Sequence, residues 1–584
     1  MVRWSAALRA GALALLALVL FSPAAVRPAP GSAAGRPPAP GVRAARLDLV
    51  GALKLEPAGV SAHADVALFG SLAFVGQWSG PCPGTGVDVV DLSNPAAPVR
   101  IGHTPEHPGA SMEVMRALRI GARDVLAIGL QDCGRDSRPS GARAGLELVD
   151  VTDPHEPAEL SFFDVDAFGP RVVGVHELDV VRTRQGRSLA LLAVPGLEAA
   201  TADGSGHGGK GDLLVVDIGD PVHPVLAGSW GVLGEPALGP AAYQGARRGN
   251  DPRTLLHSVH AGRDGAVAYL SYWDAGVIVL DLGDPSRPRY LGRTVFAPDD
   301  EGNAHSVAEA RGGRLVIQAD EVLNPFELRL TSDSVPGPQP ASQASFAAPL
   351  SAGAGAALSG PVTFVGRGCP GDPYAADPSG RVALVERGTC RFDQKVARAQ
   401  RAGATGVVLF DDDAEPSDLG PVGGEHRVTL PDGPVDVAIP AVLVRRDAGL
   451  RLKDAASAAT VSVAAGFTGW GDLRIWDVGD GRNPVPVGRF ATPEARNASA
   501  AGRGLWSVHN PVVAGDTLYA SWYSDGVRAI DISRPEKPRE IASWTGAGAP
   551  EGSPRVSIWG VAVRGDLVVA SDLNFGLYVL RLTR

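Results

Sequence analysis

Short apolar runs that end in Asp and are followed by one or two Pro recur along the whole chain. They read VDVVDLSNPAAPV (87–99), LELVDVTDPHEPAEL (146–160), LLVVDIGDPVHPVL (213–226), VIVLDLGDPSRPRYL (277–291), LRIWDVGDGRNPVPV (473–487) and VRAIDISRPEKPREI (527–541). A truncated last copy, LYVLRLTR, closes the chain at 577–584. Each copy predicts a strand buried on both faces, an Asp whose carboxylate accepts the N–H groups of the turn, Pro residues that fix φ, and a polar return strand. Two more apolar runs precede each Asp; in one copy they are SVHNPVV (507–513) and DTLYASWY (516–523), ahead of SDGVRAIDI (524–532). Three runs and a return strand make a four-stranded antiparallel unit of about 50 residues, the size of a β-propeller blade. Units begin near residues 60, 110, 173, 255, 303, 505 and 556, which predicts a mainly β, seven-bladed β-propeller. The seventh unit ends at its third strand. RLDLVGALKL (46–55) is similar to the return strand PVRIG (98–102) and is the expected closing strand, which would remove an exposed edge.

On these residues the repeats resemble the LVIVD family, propeller repeats of secreted or surface bacterial proteins. The resemblance extends over most of 46–584.

One interval breaks the period. Asp281 and Asp477 stand 196 residues apart, where the other repeat Asp residues stand 54 to 67 apart. The second strand of blade five, RLVIQADE, ends at Glu321, and the third, GDLRIWDV, begins at Gly471. A second domain is therefore expected inside blade five, over about 322–468. Its first part, 330–360, is rich in Ser, Pro, Ala and Gly and reads as a loose lead-in. Beyond it, Val382–Val385 and Gly406–Phe410 read as buried strands. Between them Phe392, Val396, Ala399 and Ala402 line one face of a helix that Gly403 ends. This α/β unit closely resembles a protease-associated (PA) domain. The matching residues are Gly368-Cys369, GRVALVERGTC (380–390), Phe392, Lys395-Val396, Ala402-Gly403-Ala404 and Ile439-Pro440-Ala441. The resemblance implies a binding or lid module without catalytic residues of its own, and a Cys369–Cys390 disulfide.

Met1 to about Ala24 has the form of a signal peptide, with Arg3 and Arg9 before or within the start and GALALLALVLF (11–21) as apolar core. A retained anchor is the alternative, although that core is short for a span. Residues 25–45 read as a Pro/Ala-rich tether, 46–321 and 469–584 as the two parts of the propeller. The expected location is secreted or extracytoplasmic, as a monomer without a stable membrane span. Net charge is −10 with no basic stripe, which argues against nucleic acid as partner. Four Cys in an exported chain predict two disulfides. Cys82 and Cys133 both follow second strands of adjacent blades and are expected to pair.

No protease signature accompanies the inserted domain. There is no Gly-x-Ser-x-Gly elbow, and His176-Glu177 is followed by Leu178-Asp179-Val180 with no second His in place for a zinc helix. The histidines form columns instead. Aligned on second strands, His63, His257 and His305 share the first strand's start, and His260 and His509 stand three positions on. First strands line a propeller's channel, so His257, His260, His305 and His509 are candidate ligands for a divalent metal such as zinc. No Asp, Glu or Cys visibly completes the set, and hydrogen bonds to neighbouring blades are the simpler role, so no metal is assigned. Trp273 and Trp522, where second strands end, share that rim and are candidate ligand-floor residues. The leading expectation is a non-enzymatic binding or scaffold protein that takes a protein, peptide or glycan in a cleft between propeller and PA domain. The alternative is a metal-dependent hydrolase or lyase at the channel mouth, with the PA domain as lid.

Overall fold

The computed structural model describes residues 45–56, 62–78, 86–132, 142–168, 173–201, 210–238, 254–297, 300–351, 354–355, 358–412, 419, 422–455 and 458–584. The signal segment, the tether up to residue 44, and both Cys82 and Cys133 lie outside the described residues. Among those described, no helix is long and apolar enough to cross a membrane.

The chain is mainly β, with the repeats arranged as a seven-bladed propeller. Blade one runs Ala62–Phe69, Leu72–Trp78, Asp88–Asp91 and Val99–His103, each strand antiparallel to the next. Blade two follows the same plan with an extra two-residue strand, Ala110–Ser111. In blade seven the order is Arg46–Lys54, Gly576–Thr583, Leu567–Asp572, Ile558–Arg564, so the segment 46–54 supplies the outermost strand and closes the ring.

The repeat chemistry explains why each blade forms and how it meets the next. In every full copy the Asp carboxylate accepts the N–H two residues on: Asp91 from Ser93, Asp150 from Thr152, Asp217 from Gly219, Asp281 from Gly283, Asp477 from Gly479 and Asp531 from Ser533, at 2.8–2.9 Å. The outer strand of each blade carries a bulge at a fixed place, for example between Val89 and Val90 against Gly102. In blades one, three, four, five and seven the residue just past that bulge is a glycine lying against the turn of the following blade, and in blades two and six it is Ser161 and Ala542. A Cβ on Gly102 would sit 2.2 Å from the Pro154 carbonyl, and one on Gly488 would sit 2.0 Å from that of Pro535. Apolar side chains fill the space between blades: Leu191, Leu213 and Val215 of blade three pack with Leu256, Val259 and Leu270 of blade four.

The insertion leaves after Leu315–Asp320 and returns at Leu473–Asp477, which pair directly. Its strands close into a barrel in the order Phe326–Ser332, Val335–Gln343, Ala441–Val444, Gly406–Phe410, Val382–Glu386, Leu358–Phe364 and Thr460–Phe467, the last pairing back to the first. The helix Phe392–Arg401 buries Val396, Ala397 and Ala399 and crosses between two parallel strands, as the βαβ pattern requires. A second helix, Arg446–Asp454, covers the barrel beside Phe410. Cys369 and Cys390 are bonded.

The lead-in is not loose over its first half. Val335–Gln343, VPGPQPASQ, is a barrel strand. Pro336, Pro338 and Pro340 share one parity, so their missing N–H groups all lie along one edge. The next strand pairs only at Ser342 and Gln343, which leaves that stretch of edge undemanding. Proline content hid a strand whose hydrogen bonds are needed on one side only.

The barrel stands on a short two-chain stalk. Phe326 pairs with Phe467, the Thr468 N–H donates to the Pro325 carbonyl at 2.8 Å, and the Val322 N–H donates to Ser507 Oγ at 2.9 Å. Asp320, at the stalk's base, is opposite Ala304, the residue before His305. The insertion therefore leaves from the end of blade five that carries His305.

Candidate functional site

At that end of the propeller, rings from six blades form a closed circuit. Its members are Trp78, His176, His257, His305, His509 and Trp559, from blades one, three, four, five, six and seven. Successive centroids are 6.2, 4.3, 4.1, 4.3, 4.4 and 5.7 Å apart, the last step returning from Trp559 to Trp78. Blade two fills its place with Glu113 and Gln131, whose Nε2 donates to Glu113 Oε2 at 2.9 Å. First strands, or the residues just before them, position most of these groups: His176 precedes Glu177–Arg182, His257 precedes Ser258–Ala261, and His305 is within Ala304–Ala310.

The hydrogen bonds fix how the imidazoles face. His509 Nδ1 lies 2.7 Å from the Trp559 carbonyl and must donate to it, which leaves the Nε2 lone pair of the neutral ring uncommitted. His176 Nδ1 lies 2.8 Å from Gln131 Oε1 and 3.1 Å from Glu113 Oε2, so it too is the donor. Its Nε2 stands 2.9 Å from His257 Nε2. His305 Nε2 is 3.6 Å from Glu321 Oε2, and Tyr523 donates its hydroxyl to the other oxygen of Glu321. His305 Nδ1 and Glu177 Oε1 are buried with no hydrogen-bond partner.

Burial dominates the electrostatics. It lowers His176 to about 4 and His509 to about 3, and holds His305 well below the usual range, with the neighbouring His257 adding to the effect. It raises Glu177 to about 8 and keeps Glu113 well above its usual range, Glu177 adding to the latter. Burial therefore favours the neutral form of His176, His305 and His509, the protonation state a metal ligand requires. Two overlapping sets have ligand atoms all within 4.8 Å of one another: Glu177, His257 and His305; and His305, Glu321 and His509.

The residues expected from sequence are not all in this place. His257, His305 and His509 come together here. His260 does not: its Nδ1 lies 3.1 Å from Asp179 Oδ2, in a separate layer that includes Arg116, which donates to Asp65 at 3.0 Å. His63 is buried, with Nε2 3.1 Å from the Leu55 carbonyl, and touches the closing strand's end and not the circuit. Trp273 packs on His257 and His305 at centroid distances of 5.1 and 6.4 Å. Trp522 is fully buried, donates Nε1–H to the Trp506 carbonyl at 2.6 Å and packs on Phe490, so it is core of blades five and six and offers no floor to a ligand.

Sequence reasoning did not reach Glu113 or Glu321 as site residues, and it weighed His176-Glu177 only as a zinc-helix motif that fails. The columns failed because the first hairpin is longer in blade four, with six residues between Ala261 and Ala268, than in blade six, with two between Ala514 and Thr517, and because the first strand of blade one is bulged between His63 and Val66. A bulge moves every residue before it to the other face, so counting back from the second strand misplaces them. The usable signal was simpler: a His at or just before the first strand of each of blades three to six.

Backbone strain collects at the same rim. Of the non-glycine residues with positive φ among those described, Trp273 (42°), Asn303 (72°) and Tyr523 (34°) all adjoin the circuit. Trp273 bridges to Ala304, and Tyr523 to Ile558, across blade boundaries. A hollow of about 560 Å³, lined by His260, Glu309, Arg311 and Asp516, lies at the opposite ends of the first strands.

Among known families, the PA domain model matches residues 352–452 and the LVIVD repeat model matches 62–104 and 208–231. An aminopeptidase of Pseudomonas aeruginosa (strain UCBPP-PA14) is 48% identical over 44 residues, 8% of this chain and 8% of that protein. A C5a peptidase of Streptococcus pyogenes is 38% identical over 91 residues, 16% of this chain and 7% of that protein. The probable lipoprotein aminopeptidase LpqL of Mycobacterium tuberculosis (strain ATCC 25618 / H37Rv) is 28% identical over 169 residues, 26% of this chain and 32% of that protein. The chain thus spans at most 32% of the length of these curated relatives. Among solved structures, the zinc aminopeptidase BSAP of Bacillus subtilis is 22% identical with a TM-score of 0.18, covering 28% of this chain and 36% of that one. The C-terminal WD40 domain of Sif2 is 8% identical with a TM-score of 0.39, covering 93% of this chain and 100% of that one. Both scores are too low for a structural argument.

Proposed function

We propose that this chain, an LVIVD-repeat β-propeller with an inserted PA domain, is an exported binding or scaffold protein without hydrolytic activity. Its PA barrel and the adjoining rim take a protein, peptide or glycan ligand. The observation that carries this reading is the packing of the circuit. His305, His509 and Trp559 are at most 4% exposed and in ring-to-ring contact, so the described residues give a substrate no room beside the carboxylates. The PA barrel stands on its own stalk at that rim, the position of a recognition module presented by a rigid platform. The peptidases named above resemble this chain over a small part of their length, which supports a shared accessory module more than a shared reaction.

The carboxylate–imidazole sets favour a second reading, metal-dependent hydrolysis or elimination with the PA domain as lid. One experiment separates the two. The full chain and a variant with 323–468 replaced by a tight turn, like Trp522–Gly526 of blade six, are applied to peptide and glycan arrays. Each is also assayed with zinc against peptide and ester substrates. Binding that disappears with the insertion, and no turnover, supports the binding reading. Turnover abolished by His305→Gln establishes the second reading, and array binding retained without the insertion removes the PA domain from recognition.

A further inference from the structure

We infer that the circuit is a transition-metal centre, in which the imidazoles of blades three to six bind one divalent ion and buried glutamates serve as ligands or outer partners. The inference is independent of the binding reading above, because a bound ion could order the rim whether or not it performs chemistry.

Four observations carry it. The first is the donor set. His176, His257, His305 and His509 are consecutive around the circuit, each within 4.1–4.3 Å of the next by ring centroid. Imidazole-rich sites suit zinc, iron, copper and nickel and not calcium or magnesium, which take oxygen ligands.

The second is orientation. A ligating imidazole commonly gives its other N–H to a carboxylate, an amide or a backbone carbonyl, which fixes the tautomer. His509 does this through Nδ1 to the Trp559 carbonyl, and His176 through Nδ1 to Gln131 and Glu113. Both rings therefore present an Nε2 lone pair inward, and that of His176 comes within 2.9 Å of the next ring's Nε2. Two ring nitrogens pointed at each other are a poor packing motif unless a proton or a cation stands between them.

The third is unmet demand. His305 Nδ1 and Glu177 Oε1 are buried without a hydrogen-bond partner, and these residues are 1% and 4% exposed. Unpaired buried polar atoms cost folding free energy, and an ion would satisfy both types of donor.

The fourth is spacing. The donor atoms of Glu177, His257 and His305 all lie within 4.8 Å, as do those of His305, Glu321 and His509. Ligands at about 2.0–2.2 Å from one tetrahedral zinc are roughly 3.4 Å apart. The difference between 4.8 Å and that spacing is at most about 1.4 Å, within the reach of a change in side-chain torsion.

Trp78, Trp559 and Trp273 form an apolar collar around the donors, which would strengthen the ligand bonds by excluding water. Tyr523 holds the Glu321 carboxylate and the Glu113–Gln131 pair holds the His176 ring, as outer partners do.

The test uses the full, untagged chain, stripped with chelator and reloaded with zinc, cobalt(II), nickel(II), copper(II) or iron(II). Elemental analysis after gel filtration should show an equimolar metal, and the cobalt form should show visible d–d bands of nitrogen ligation. His257→Gln and His305→Gln should each lose more affinity than the roughly 10- to 100-fold typical of an outer partner. Glu113→Gln should fall within that range, and His260→Gln, in the separate layer, should leave loading and spectrum unchanged. Circular dichroism and gel filtration identify variants that fold. The inference is overturned if the folded native chain takes up no more metal than a folded His257→Gln/His305→Gln double variant. It is also overturned if His260→Gln alters the cobalt spectrum as strongly as His257→Gln does.

Discussion

The closing strand is the point where a small change should have the largest structural effect. Removing Arg46–Lys54, by starting the chain at residue 57 in place of residue 45, leaves Gly576–Thr583 as a naked edge. The register is continuous from Arg46↔Thr583 to Lys54↔Gly576, apart from the bulge between Leu49 and Gly51. Two leucines, Leu47 at 5% and Leu55 at 2% exposure, lose their buried sites. At about 1.5–3 kcal/mol each, they alone account for roughly 3–6 kcal/mol. His63 also loses the Leu55 carbonyl at 3.1 Å, which leaves a second nitrogen of a buried ring unpartnered. Domain stabilities are of order 5–15 kcal/mol, so this truncation removes a large share of the total. A point change tests the same seam more gently. A Cβ on Gly51 would lie 2.2 Å from the Pro95 carbonyl, where blade seven meets blade one. Gly51→Ala forces the strand or the turn aside at a cost of about 1–3 kcal/mol. Gly423→Ala, where nothing lies within 4 Å, is the control and should be neutral to within about 0.5 kcal/mol. Scanning calorimetry with gel filtration reads the outcome. The truncated chain should melt at least roughly 5–10 °C lower and form edge-to-edge oligomers, with Gly51→Ala intermediate. If the truncated chain melts within 2 °C of the longer one, taking about that as the smallest resolvable shift, the ring does not depend on this strand and the closure argument fails.

Two further outcomes follow from buried ionisable groups remote from the circuit. Lys395 of the PA barrel is fully buried and donates Nζ to the carbonyls of Arg367, Glu386 and Gly388 at 2.5, 3.1 and 2.9 Å, while burial and Arg367 hold it down to about 8. Lys395→Met keeps the volume but orphans those carbonyls, so the insertion should lose about 2–4 kcal/mol and become protease-sensitive first, and an unchanged cleavage rate would show that the carbonyls find other partners. Asp212 is raised from 3.8 to about 7, chiefly by burial, while accepting the Glu198 N–H at 2.8 Å. The folded chain therefore binds the proton more tightly than the unfolded one, and this group's contribution is full below pH 4 and is lost as pH rises to about 7. Asp212→Asn, which can accept the same N–H, should flatten that part of the melting-temperature profile between pH 4 and 7, and a profile parallel to the native one would rule the assignment out.

The fold was legible because its determinants are local and repeated. The Asp of each turn, the Pro that follows and the glycine on the outer strand act within one blade or on its neighbour, so each leaves a mark in the sequence at a regular interval. The PA unit was legible for a similar reason, its strand–helix–strand pattern being contiguous from Val382 to Phe410. What was missed depends on relations the period does not encode. Val335–Gln343 becomes a strand only because a partner on one side suffices. Trp522 looked like a rim residue by position, yet its indole turns into the core toward Trp506. The glutamates of the circuit come from three different structural places: between the two pieces of a split first strand (Glu113), at the start of one (Glu177), and at the root of the insertion (Glu321). No single spacing joins them, and only closure of the ring brings them to one axis.

The two halves of the molecule meet at Glu321. Its carboxylate belongs to one donor set with His305 and His509 and takes the hydroxyl of Tyr523. Its backbone N–H donates to the carbonyl of Asn303 at 3.0 Å, and the next residue, Val322, is pinned to Ser507 before the stalk begins. Asn303 and Tyr523, its partners on both sides, are held at positive φ, a conformation that costs of order 1–3 kcal/mol for such residues and persists only where the surroundings enforce it. A propeller needs no such strain to close, since blades one, two and seven meet their neighbours without it among the described residues. Among the described residues, non-glycine positive φ falls in blades four to six and the insertion, and blade three, which carries His176, has none. The outgoing chain of the stalk thus adjoins the donor set at Glu321, while the returning chain is tied to the propeller separately, Asp472 accepting the Asp320 N–H at 2.9 Å.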